Sequence, residues 1–179
     1  MSPDHPRPVA LVGLMGSGKS AVAAELGERL AVAVADLDAM LEAETGSTIA
    51  QLFAREGEPE FRRRERELFA RVLAAGAGVI ACGGGLVLGQ AERAQLKTRC
   101  HTVWLEVSPG QAAARIGGDP TERPLLKGGP IVPRLAALLT ERGPLYAEVA
   151  ELRVPTDGRT VAQVAGAVLA ALGPEAIAR

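Results

Sequence analysis

The stretch GLMGSGKS, residues 13–20, constrains this chain more than any other. It fits Gly-x-x-x-x-Gly-Lys-Ser in full, directly after the apolar run PVALVG (8–13) and directly before a helical pattern over 19–30. A strand, a glycine loop and a helix N-terminus in that order make a cradle of inward-pointing N–H groups, with a positive dipole end, for a chain of phosphates. Gly13, Gly16, Ser17 and Gly18 supply the backbone, with Ala21 following in the helix. Lys19 places a point cation on the phosphates, and the Ser20 hydroxyl is of the type that ligates Mg²⁺. These residues imply a nucleoside triphosphate as co-substrate; they do not yet imply a reaction.

The rest of the chain alternates in the way such a loop requires. AVAVAD (31–36), GVIAC (78–82), HTVWLEV (101–107) and ELRVPT (151–156) read as further strands, apolar throughout. Helices are expected from about Asp38, over 60–76 with a stripe of Phe61, Leu68, Phe69, Val72 and Leu73, and over the Ala-rich C-terminal segment ended by Gly173. Strands buried on both faces and separated by helices predict an α/β fold with a parallel sheet.

Composition removes other classes. The 179 residues suit a single domain, and Lys plus Arg (20) nearly balance Asp plus Glu (21). That balance leaves no basic field for nucleic acid or an anionic membrane, and one Trp, one Tyr and three Phe offer little for base stacking. Cys82 and Cys100 fit no metal spacing and are expected as reduced, buried thiols. The polar N-terminus and the short apolar run after it give no signal or membrane segment, so a cytoplasmic monomer is expected.

Four other stretches carry polar chemistry. In ADLDAM (35–40), an aspartate before a helix reads either as an N-cap or as a functional acid. Two aspartates at a strand's carboxyl end can divide the holding of a Mg²⁺ water shell from the orienting of an acceptor hydroxyl. GEPEFRRRERE (57–67) reads mostly as a solvated helix face, with Arg62/Arg66 and Arg63/Glu67 among the i,i+4 contacts to be sorted. Arg62 beside Phe61 also suits a bidentate grip on a carboxylate. In VIACGGGLVL (79–88) three glycines end an apolar strand, which suggests that a ligand lies against bare backbone. GGDPTERPLLKGGP (117–130) reads as a surface loop or a mobile lid with Gly117, Gly118, Gly128 and Gly129 as hinges.

Taken in order, GLMGSGKS, DLD, EFRRRE, GGG, ERPLL and ERGPLY resemble the shikimate kinase family, over about residues 9–154. The resemblance implies transfer of the ATP γ-phosphoryl group to the 3-hydroxyl of shikimate, with Mg²⁺, in the pathway to chorismate. It also implies a P-loop, nucleoside-monophosphate-kinase-like fold with a five-stranded parallel sheet of order 2-3-1-4-5. The single kinase domain would divide into core (8–37 and 77–116), substrate-binding region (38–76), lid (117–130) and C-terminal core elements (131–179). By the same resemblance Asp36 stands near Mg²⁺ with Ser20, Asp38 binds the acceptor hydroxyls and serves as base, and Arg62 and Arg142 bind its carboxylate. Gly83, Gly84 and Gly85 present N–H groups to the substrate, Arg123 is the lid arginine that reaches the phosphates, and Arg115 lies near adenine. Read without the resemblance, Arg142 is a cation near a helix C-terminus and Arg115 a surface residue.

Three positions depart from the family's habit: Met15, Ala21 in place of threonine, and Ala81 in place of a serine near the Mg²⁺ water shell. The rival readings are another small-metabolite kinase of the same fold, such as a gluconate kinase, and a non-catalytic ligand-sensing domain of a transcription regulator.

Overall fold

The apolar runs become five parallel strands, of which the three central ones are buried on both faces while the two at the edges stay partly exposed. In the computed structural model, which describes residues 7–116 and 130–173, these strands are β1 (Val9–Val12), β2 (Val34–Asp36), β3 (Val79–Ala81), β4 (His101–Glu106) and β5 (Leu152–Pro155). Their spatial order is β2-β3-β1-β4-β5, with Val9 opposite both Val79 and His101. The chain leaves β1 toward one edge and later returns to its other side. The carboxyl end of β1 is therefore the switch point, where open α/β sheets form a crevice.

Helices cover both faces: α1 (Lys19–Leu30), α2 (Leu37–Thr45), α3 (Ile49–Ala75), α4 (Gln90–Arg99), α5 (Pro109–Ile116), α6 (Ile131–Val149) and α7 (Val161–Leu172). On one face Ala10, Val12, Ile80 and Trp104 pack with Phe69, Leu96 and Tyr146. On the other Val9, Leu11, Val103 and Leu105 pack with Val22, Leu26, Val164 and Val168. Cys82 and Cys100 are buried and free, as expected of thiols in such a core. Helices α4, α5 and α6 were not resolved by the reading of the sequence. No helix among the described residues is long and apolar enough to cross a membrane.

The stripe over 60–76 belongs to a longer element than expected. α3 starts at Ile49, where Thr48 and Gln51 form a capping box, and bends at Gly57 (φ 80, ψ 168). That backbone region is open to glycine alone. Pro59, two residues later, is tolerated because it sits in the first turn of the restarted helix. The bend brings the Phe53 and Phe61 rings to 4.6 Å, so both halves of α3 present one aromatic wall. Replacing Gly57 by Ala is expected to lower unfolding free energy by about 1–3 kcal/mol in urea titration, since no L side chain accepts these dihedrals.

Candidate active site

The loop after β1 has the conformation that its glycines permit. Gly18, the N-cap of α1, has φ 92, and nothing lies within 4 Å of where its Cβ would stand, so dihedral rather than space requires glycine. At Gly13 space decides as well, because a Cβ would lie 2.5 Å from the Leu105 carbonyl oxygen. Lys19 Nζ reaches back over the loop and donates to the carbonyls of Gly13 (2.9 Å) and Leu14 (3.0 Å). Ser17 is buried within the loop and Ser20 is exposed at the start of α1.

The two aspartates of ADLDAM stand in different surroundings. Asp36 is the N-cap of α2, its Oδ1 accepting from the N–H groups of Asp38 (3.1 Å) and Ala39 (3.2 Å). Its other oxygen has no hydrogen-bond partner among the described residues, so capping and a role toward a cation's water shell are compatible. Asp38, two residues on, opens into the cleft beside Gly83 and is exposed to the water in it. The protein atoms crowded around its carboxyl still displace enough solvent to raise it above the ordinary aspartate range, with Lys19 pulling the other way.

The triple glycine follows β3, which lies between β1 and β2, so it faces both the phosphate loop and the aspartates. A Cβ on Gly83 would overlap Glu65 Oε1, and one on Gly85 would overlap the Arg62 guanidinium. Gly84 is less confined: its Cβ would stand 3.3 Å from the Gly13 carbonyl oxygen and 3.6 Å from the Tyr146 hydroxyl. None of the three N–H groups donates to another described residue in the hydrogen bonds of the protein. They are therefore donors free for a ligand.

Arg62 lies flat between Gly85 and the aromatic wall, 5.0 Å from the Phe61 centroid and 6.0 Å from that of Phe53. It does not pair with Arg66: its Nη1 donates to Glu65 (2.7 Å), and its Nε and Nη2 donate to Glu58 at 3.3 and 3.2 Å. The Arg63–Glu67 pair does form on the exposed side. Glu65 is 1% exposed, and burial raises its carboxyl, opposed chiefly by Arg62. Arg142 is buried too, at 3% exposure, and its Nε and Glu65 Oε1 have no hydrogen-bond partner among the described residues. This corrects the reading of Arg142 as a dipole-complementing cation at a helix end: α6 runs on to Val149 and turns the guanidinium into the cleft.

On the nucleotide side, Arg115 is exposed yet held. It donates to the Thr156 hydroxyl (2.9 Å) and carbonyl (2.6 Å) and to the Gly16 carbonyl (3.3 Å), tying α5 to the phosphate loop. Arg123, Gly117, Gly118, Gly128 and Gly129 lie outside the described residues. The cleft has a volume of about 830 Å³ and runs from Gly16, Lys19 and Ser20 past Asp36 and Asp38 to Arg62, Gly83–Gly85 and Arg142.

A family model described as shikimate kinase matches residues 15–173. The chain belongs to the shikimate kinase family. It is 43% identical over 162 residues to a shikimate kinase of Symbiobacterium thermophilum, covering 90% of this chain and 93% of that one. The solved structure of an Acinetobacter baumannii shikimate kinase in complex with shikimate superposes with a TM-score of 0.89 at 34% identity, covering 93% of each chain. A gluconokinase from Sinorhizobium meliloti shares the fold with a TM-score of 0.61, at 19% identity.

Within this shikimate kinase-family cleft, the residue that the sequence reading passed over is Glu65. Its signal was available: it falls on the stripe of Phe61, Leu68, Phe69 and Val72, an acid among core positions. Phe53, also on the cleft, lies on the first part of α3, ahead of the stripe over 60–76, and Glu42 lies on α2.

Asp38→Asn tests the electrostatics. Because the folded protein raises this carboxyl, its ionised form disfavours folding at pH values above the raised pKa, and the effect vanishes below the unfolded value. The amide is therefore expected to abolish turnover while leaving Tm at pH 7 equal to or above that of the parent, read by calorimetry; a drop in Tm would overturn the assignment.

Proposed function

We propose that this chain phosphorylates the 3-hydroxyl of shikimate, using ATP, with the residues that line this cleft in the following roles. As a member of its family the chain is an ATP-dependent phosphotransferase acting on an alcohol. The observation that carries the acceptor's identity is the half-buried Arg62 and the buried Arg142 beside three unused glycine N–H groups, opposite Asp38. Two desolvated guanidinium groups select a carboxylate, and a bare-backbone floor admits a flat polyhydroxy ring. A gluconate kinase of the same fold would have to phosphorylate its own sugar acid in preference to shikimate; the sequence kinship supports the shikimate reading instead.

The phosphate loop N–H groups and Lys19 hold the β- and γ-phosphates in line with the acceptor. Asp38 accepts the proton of the 3-hydroxyl as its oxygen attacks phosphorus, and ADP leaves with the electrons of the broken bond. The raised basicity of Asp38 suits this task. The Ser20 hydroxyl and the uncommitted oxygen of Asp36 fit Mg²⁺, a hard cation that keeps several waters and takes its other ligands from phosphates. When bound, that ion supplies charge neutralisation on the phosphates. Arg115, tied to the Gly16 carbonyl beside the phosphate loop, is proposed to lie near the adenine, and Arg123 is proposed as the arginine that stabilises the transferring group. With one cleft containing both halves of the site, the protein is proposed to work as a monomer.

The reading is tested by a coupled ADP-release assay with shikimate, gluconate and other polyols or sugar acids, with and without Mg²⁺. Shikimate and Mg²⁺ should both be required; equal rates on gluconate would overturn the acceptor assignment. Arg62→Ala is expected to raise the shikimate KM through loss of about 2–5 kcal/mol of binding, with the ATP KM little changed. Gly85→Ala should act the same way, because the added methyl displaces the Arg62 guanidinium.

A further inference from the structure

The single tyrosine of this chain touches the acceptor floor from beneath. Tyr146 is fully buried on α6, and its hydroxyl donates to the Gly84 carbonyl at 2.6 Å. Its ring packs against Trp104 with centroids 5.8 Å apart, which fixes the phenol laterally. Burial pushes its pKa up to about 12, so the hydroxyl remains a donor at any pH where the protein is folded and active. One turn back on the same helix is Arg142, whose charge lies within electrostatic reach of the phenol. The tyrosine thus holds a peptide of the glycine floor from the same helix that carries one of the arginines of the acceptor pocket.

The planarity of the peptide gives this contact its consequence. In a trans peptide C=O and N–H point in opposite directions. Holding the Gly84 carbonyl down toward α6 therefore turns the N–H of Gly85 up, away from Tyr146. Gly85 lines the cleft directly against the Arg62 guanidinium, and its N–H donates to no other described residue. Glycine at both positions leaves this peptide free to rotate unless something holds it. The Leu86 N–H bond to the Gly83 carbonyl, at 3.1 Å, closes the turn around it but does not fix its plane.

We propose that Tyr146 is a positioning residue for the acceptor: its hydroxyl locks the Gly84–Gly85 peptide so that the Gly85 N–H joins Arg62 and Arg142 in gripping the acceptor carboxylate. The inference rests on the reading of those arginines as the carboxylate site. Phe at position 146 keeps the ring and its packing against Trp104 and removes only the lock. A purely structural tyrosine would lower stability and affect both substrates alike. A positioning tyrosine would affect one.

Tyr146→Phe is expected to raise the shikimate KM and the shikimate Kd from calorimetry by about tenfold, the scale of one lost hydrogen bond to a charged group. The ATP KM should stay within about twofold, which also reports that the variant is folded. Arg62→Lys and Arg142→Lys, assayed in parallel, separate the two levels of the argument. If neither lysine variant weakens shikimate binding, the carboxylate site is wrong and the role of Tyr146 falls with it. If they do weaken it while Tyr146→Phe leaves shikimate binding unchanged, or weakens ATP and shikimate equally, the positioning role alone is overturned.

Discussion

The acceptor half of the cleft depends on a carboxylate buried among arginines. Arg142 is buried and Arg62 half-buried, and two guanidinium groups in one cleft repel each other unless a counter-charge is buried with them. Glu65 is that charge: it pairs directly with Arg62 and lies within electrostatic reach of Arg142. It fills the space under Gly83 that a side chain there would need, so the glycine and the acid require each other. Among the described residues Glu65 leaves one oxygen unpartnered and Arg142 leaves its Nε so. An anion entering the cleft offers an acceptor to the Arg142 N–H, while the Glu65 oxygen calls for a donor such as a hydroxyl or a water.

The donor and acceptor halves are rigidly joined, which phosphoryl transfer needs because the enzyme's contribution is mainly alignment. Gly84 is the junction. It lies against the Gly13 carbonyl that opens the phosphate loop, and its own carbonyl is fastened to α6. The Gly13 carbonyl in turn accepts from Lys19. Arg115 provides a second tie, from α5 to the Gly16 carbonyl and to Thr156 after β5.

The local features of this arrangement were readable in the sequence. Apolar runs of strand length gave all five strands, and the glycine loop with its lysine could sit only between a strand and a helix. For Asp36 the cap reading holds, and because one oxygen does all the capping the other is left for the acid role proposed above. The burial of Arg142 was not readable, because an arginine late in a helix looks the same whether that face meets water or a cleft. Glu65 was readable in principle from its place in the Phe61–Val72 stripe, but an acid amid RRRERE looks like one more surface charge. The bend at Gly57 was hidden for a different reason: a glycine before Glu-Pro resembles an ordinary helix start, and only the tertiary contact of Phe53 with Phe61 makes the two segments one wall.

The cleft carries a cost that the rest of the fold must offset. Asp38 and Glu65 both have carboxyls raised by desolvation. A raised carboxyl favours the folded state below its unfolded pKa and loses that contribution as pH rises through the folded value, so at neutral pH both acids oppose folding. Lys19 and Arg62 reduce this penalty without removing it. The compensation lies away from the chemistry, in strands β1, β3 and β4 whose residues are almost fully enclosed between two apolar cores. That division explains why the polar residues collect at the carboxyl edge of the sheet. There the strands end and their last peptides can face a ligand, while the strand interiors supply the burial that permits charged groups to be held in so little water.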